Sequence, residues 1–93
     1  MEPTKKISIN KHDDAAVVAE RIIDAQATEV ILSIPKFSRL AESASNFHLL
    51  KREADVLKKT VLVESVDERV IELCRKVGIE SVNPFFERGA RQL

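Results

Sequence analysis

Glycine is nearly missing from this chain: among its 93 residues only Gly78 and Gly89 are glycines. A dinucleotide fold needs a glycine-rich turn after its first strand so that backbone can approach a pyrophosphate, and a P-loop needs glycines for the same reason. Both are excluded. Cysteine is scarcer, with Cys74 alone, so the chain has no internal disulfide and no C-x-x-C pair to mark a zinc site. Tryptophan and tyrosine are absent and phenylalanine occurs four times, which leaves few platforms for stacking single-stranded bases. Basic and acidic residues balance at fifteen each, so no net field draws the chain to nucleic acid or to an anionic membrane. Long apolar runs are missing too, since stretches such as 30–32 and 61–63 fall far short of the roughly 20 residues of a membrane helix. The start, Met1-Glu2-Pro3-Thr4-Lys5-Lys6, lacks the apolar core of a secretory signal. The expectation is a cytoplasmic protein that does not insert into membrane and uses no metal and no cofactor.

What is present is a regular alternation of strand and helix patterns. Ile7-Ser8-Ile9 alternates apolar and polar side chains, as in a short strand with one buried face. Asp13 or Asp14 then stands as N-cap to a helix in which Ala15, Val18, Ala19, Ile22 and Ile23 recur at helical spacing. Val30-Ile31-Leu32-Ser33-Ile34, stopped by Pro35, reads as a strand buried on both faces. A long second helix follows Ser38, its apolar face made by Ala44, Phe47, Leu50, Ala54 and Leu57, with a break expected at 43–45. Thr60-Val61-Leu62-Val63 repeats the buried strand, and Ser65-Val66-Asp67-Glu68 has the Ser-x-x-Glu form of a capping box ahead of Val70, Leu73, Cys74 and Val77. Gly78 suits a left-handed C-cap, and a short fourth strand over 79–82 ends at Asn83-Pro84.

Strands separated by helices pair in parallel through right-handed crossovers. The predicted fold is therefore one α/β domain over residues 1–86, Rossmann-like or flavodoxin-like, with four parallel strands, three helices and a loose tail at 87–93. The preferred strand order is 2-1-3-4, with 1-2-3-4 as the alternative that the alternating first strand favours. On the pleat Ile7, Ile9, Leu32, Ile34, Val61 and Val63 share one face, while Ser8, Ser33 and Glu64 fall with Ile31 and Leu62 on a mixed one.

Ligands of parallel sheets bind beyond the carboxyl ends of the strands. Lys36, Ser38 and Arg39 at the start of helix two are the candidate donors for a nucleotide or phosphate, with Asp13 and Ser65 on the same edge. No catalytic residue is assigned: His12 and the nearby serines lack a Gly-x-Ser-x-Gly elbow. Cys74 falls on an apolar stripe as an inert, buried thiol. His48, Lys51, Arg52, Lys58 and Lys59 make helix two locally basic, interrupted by Glu53 and Asp55, so nucleic-acid binding along it is the weakest reading. Phe85 and Phe86 either fold back over the sheet, the favoured reading, or stand out as an interaction anchor.

The segments Ile34-Pro35-Lys36-Phe37-Ser38-Arg39-Leu40, Asn46-Phe47-His48-Leu49-Leu50-Lys51-Arg52 and Val61-Leu62-Val63 together resemble a recurring bacterial domain. That domain is the small Rossmann-like unit near the N-terminus of large membrane-anchored proteins of the phage-baseplate-J-like kind. The shared pattern is an apolar strand, Pro-Lys/Arg, a small-residue segment, Asn-x-x-Leu-Leu-Lys/Arg-Arg and a second apolar strand, over roughly residues 7–82. The resemblance implies the fold and a cytoplasmic setting, and it brings no catalytic residue. The leading expectation is a non-enzymatic interaction or scaffolding domain, binding a protein partner or a second copy of itself. A small-ligand module built on Lys36, Ser38 and Arg39 is the alternative.

Overall fold

The computed structural model describes residues 2–85. Its elements run β1 (Glu2–Ser8), α1 (Ala15–Asp24), β2 (Ala27–Ser33), α2 (Ala44–Val56), β3 (Thr60–Glu64), α3 (Glu68–Val77) and β4 (Glu80–Val82). All four strands are parallel and lie in the order β1-β2-β3-β4. The preferred order 2-1-3-4 is thus corrected to the alternative. The reason is burial: an inside position would bury Thr4, Lys5 and Lys6, all exposed in β1, whereas the apolar run at Val30 to Ile34 takes that place without leaving a charge unsolvated. Backbone pairing also carries β1 back past the short alternating stretch, to Lys5 opposite Val30 and Thr4 opposite Glu29.

Each crossover steps the same way across the sheet, and right-handed connections of that kind set every helix on the same side. Core membership agrees with it. Row by row, Ile7, Leu32 and Val63 stand together, as do Ser8, Ser33 and Glu64. Val30, Leu32, Ile34, Val61 and Val63 join one core with Val18 and Ile22 of α1, Phe47 and Leu50 of α2, and Val70, Leu73 and Cys74 of α3. Ile31, Leu62 and Val82, on the opposite face, stay outside that core and are only half-buried. The described residues therefore form two layers.

Local chemistry sets the helix ends. Asp14 caps α1, its Oδ1 accepting from the Val17 N–H at 3.0 Å. The far end of α1 is closed by a distant side chain: Lys59 Nζ donates to the carbonyls of Ile22 at 2.8 Å and Ala25 at 2.5 Å. An ammonium among last-turn carbonyls satisfies acceptors that have no partner in the helix and opposes its negative pole. The expected break in helix two falls at Ser43, in extended backbone between a single 3-10 turn, Arg39–Glu42, and α2. α2 then stops at Val56, and Lys58 turns at φ 56, so Lys58 and Lys59 leave the basic helix face to which their spacing assigns them. Lys51 on that face pairs with Asp55 at 3.0 Å.

The capping box at Ser65 is corrected by two residues. Asp67, not Ser65, is the N-cap of α3 and accepts from the Arg69 N–H at 2.9 Å. Ser65 is held at the end of β3, its N–H on the Val82 carbonyl at 3.0 Å. Gly78 closes α3 in the left-handed region at φ 83, where a side chain would be strained.

Replacing Lys59 by Met keeps the aliphatic stem and removes the cap. Lys59→Met is expected to lower unfolding free energy by roughly 1–3 kcal/mol in urea titrations, with Lys58→Met, in the neighbouring turn, within about 0.5 kcal/mol of the parent.

Candidate functional site

The carboxyl edge of the sheet is where sequence reasoning places a ligand, and its loops do converge. The Arg39 N–H donates to the Lys11 carbonyl at 2.8 Å, joining the loops after β1 and β2. Phe37 N–H donates to Asp67 Oδ2 at 3.4 Å, and Ser65 Oγ donates to the Ile34 carbonyl at 2.8 Å, joining the loops after β2 and β3.

These contacts consume the polar groups that would otherwise meet a ligand. Ser38 is buried and its Oγ accepts from the Leu40 N–H at 3.1 Å, capping a turn too short to carry a helix dipole. Ser65 is buried, donating to Ile34 and accepting from the Asp67 N–H at 3.1 Å. Asp13 accepts from the Asn10 N–H at 2.9 Å and lies 4.0 Å from Arg21 Nη1. Lys36 and the Arg39 side chain are exposed. Among the described residues no buried side-chain nitrogen or oxygen lacks a hydrogen-bond partner, and no three His, Cys, Asp or Glu side chains are grouped to hold a metal ion. No described helix is long and apolar enough to cross a membrane. The five predicted ligand residues are thus brought to one edge, but their hydroxyls and carboxylate are engaged in the protein's own turns.

The apolar groups at this edge behave differently. Phe37 is 85% exposed and sits at φ 62, a left-handed conformation that bulky residues adopt rarely and at a cost of order 1 kcal/mol. Phe85 is 71% exposed, so it does not fold back over the sheet as favoured above; Phe86 lies outside the described residues. Phe37 was not singled out as a site residue from sequence. Its only signal is a tight Pro35-Lys36-Phe37-Ser38 turn with no glycine or asparagine to take the left-handed position.

Concave surface lies elsewhere. One groove, of about 280 Å3, runs beside β1 and is lined by Lys5, Ile7, Arg21, Asp24 and Ala25. A second, of about 290 Å3, lies at the amino edge among Lys51, Asp55, Lys59 and Glu80. No family model matches the chain, and no similar curated protein or solved structure was found.

One face of the sheet is left open by the described helices. Ile31, Leu62 and Val82 lie half-buried along it, and Lys6 of β1 reaches Glu64 of β3 at 2.9 Å, bridging across β2. A half-exposed pair of this kind contributes at most about 1 kcal/mol, so its main effect is to rim the apolar residues with charge.

Cys74, the one thiol, belongs to the core and has no part in either surface. Burial pushes its pKa up to about 12. The folded state therefore keeps a proton that the unfolded chain releases near pH 9, and stability falls as pH rises from there toward 12, by up to about 1.4 kcal/mol per pH unit. Denaturant titrations at pH 8 and 10.5 are expected to show this loss, reduced in Cys74→Ala relative to its own value at pH 8. Ser65→Ala is expected to cost about 1–3 kcal/mol in the same titrations, with Lys36→Ala within about 0.5 kcal/mol.

Proposed function

We propose that this chain is a non-enzymatic interaction or scaffolding domain that uses the sheet surface its helices do not cover. The observation that carries the reading is the one-sided sheet. Ile31, Leu62 and Val82 form an apolar strip on a face that no described element covers, and apolar surface rimmed by charge is the usual mark of protein contact. The resemblance of roughly residues 7–82 to a bacterial domain that brings no catalytic residue agrees with it. A phosphate or nucleotide site around Lys36 is less well supported, because the Ser38 and Ser65 hydroxyls meant to assist it are buried in turns.

The test is sedimentation velocity over a concentration series, and affinity capture, with the parent and the Ile31→Thr/Leu62→Thr double variant compared. Threonine keeps the strand propensity of both sites, and circular dichroism checks the fold. Expected is self-association, or capture of a defined partner, that the double variant loses while still folded. A strictly monomeric parent with no partner sensitive to these substitutions would overturn the proposal.

A further inference from the structure

Resting on the reading of the chain as an interaction domain, we infer that the outer edge of β1, with the groove between β1 and α1, is a docking site for an extended acidic peptide that adds to the sheet as a further strand. β1 is an edge strand of the described sheet, with β2 on one side only. Its Ile9 N–H donates to the Ser33 carbonyl at 2.9 Å just beyond the strand's end. By the alternation of a parallel ladder, Lys5 and Ile7 turn their backbone groups toward β2, while Thr4, Lys6 and Ser8 turn theirs outward. Arg21 Nη1 reaches the Ser8 carbonyl at 3.0 Å, which closes that end of the edge. Among the described residues the N–H and C=O groups of Thr4 and Lys6 remain open, the template that a strand-adding peptide requires.

Beside this backbone lies the groove of about 280 Å3 lined by Lys5, Ile7, Arg21, Asp24 and Ala25. Its volume is at the lower limit of small-molecule pockets and suits one or two side chains of a passing strand. On α1 its wall continues as Val17, Arg21 and Asp24, spaced four and three residues apart and so on one helix side; Val17 is 41% exposed. An added strand sends alternate side chains to this side, as any strand does. Ile7 and Ala25 offer an apolar floor, and Lys5, Arg21 and Asp24 are its charged lining; Arg21 is met by Asp13 at 4.0 Å and by the Ser8 carbonyl, so Lys5 is the cation left to face a partner. The Lys5 ammonium has no hydrogen-bond or ion-pair partner among the described residues. Lysines on an edge strand discourage indiscriminate pairing between like edges, and the same charges select a partner strand carrying carboxylates.

The test is an amide NMR titration with two short acetylated peptides, one alternating valine with glutamate and one alternating valine with lysine. The glutamate peptide is expected to shift Thr4, Lys6 and Ser8 of β1 together with Val17 and Arg21, and to bind roughly fivefold more tightly than the lysine peptide. Lys5→Glu is expected to reverse that preference, and Arg21→Gln, which keeps a donor for the Ser8 carbonyl, to reduce it. N-methylation of alternate peptide amides, in the frame that faces Lys6, is expected to abolish binding. Equal binding of the two peptides, or indifference to N-methylation, overturns the inference. So does concentration-dependent protection of the Thr4 and Lys6 amides in the protein alone, which would make a second copy the occupant. If peptides fail while association sensitive to Ile31 and Leu62 persists, the edge site falls and the interaction function stands.

Discussion

Everything in this domain follows from strands that are added in one direction by crossovers of one hand. A parallel strand cannot be reached by a tight turn, so each step requires a helix, and the handedness of the connection decides the side on which that helix lies. Had the chain reversed direction once, helices would cover both faces and a crevice would open where the direction changed. It does not reverse. The core is built by α1, α2 and α3 on the row of Val30, Leu32, Val61 and Val63, and Ile31 and Leu62 are left on the other side.

The absence of a reversal also explains why the polar carboxyl edge forms turns instead of a pocket. With the loops after β1, β2 and β3 packed side by side, each buried N–H or carbonyl needs a nearby partner, and leaving one unmade costs more than a typical hydrogen bond contributes. Ser38, Ser65, Asp14 and Asp67 meet that need within two or three residues of themselves or across to the next strand. Phe37 is held by the same network, its N–H on Asp67 fixing an exposed ring in a backbone conformation it would not choose. The hydroxyls and carboxylates of this edge are therefore engaged within the protein.

Much of this was legible from the order of residues. The strand and helix units, the break before α2, the left-handed Gly78 and the sorting of Ile7, Leu32 and Val63 away from Ile31 and Leu62 all follow from local periodicity. Strand order did not follow, because a parallel strand with one apolar face is compatible with an inside or an edge place until its neighbours are known. Ser65 illustrates a second kind of failure: its spacing to Glu68 is that of a cap, but hydrogen bonds to the Ile34 and Val82 backbones, far away in sequence, keep it at the end of β3. Lys59 is a third, since a lysine next to a basic helix gives no sign that it will close another helix. The groove beside β1 was invisible for the same reason, being made by two elements whose facing residues only the fold brings together.

Because order along the chain and order across the sheet coincide, each strand pairs only with the strand before it and the strand after it. Paired residues are separated by 25 positions between β1 and β2, 31 between β2 and β3, and 18 between β3 and β4. Such a domain is close to a one-dimensional array, in which stability is the sum of units and the interfaces between neighbours. Nucleation on the central pair can spread outward without closing a loop from one end of the chain to the other, which keeps the entropy of each step small. The same linearity makes the outermost unit separable: β1 is secured along one side only, so it can loosen without dismantling β3 and β4.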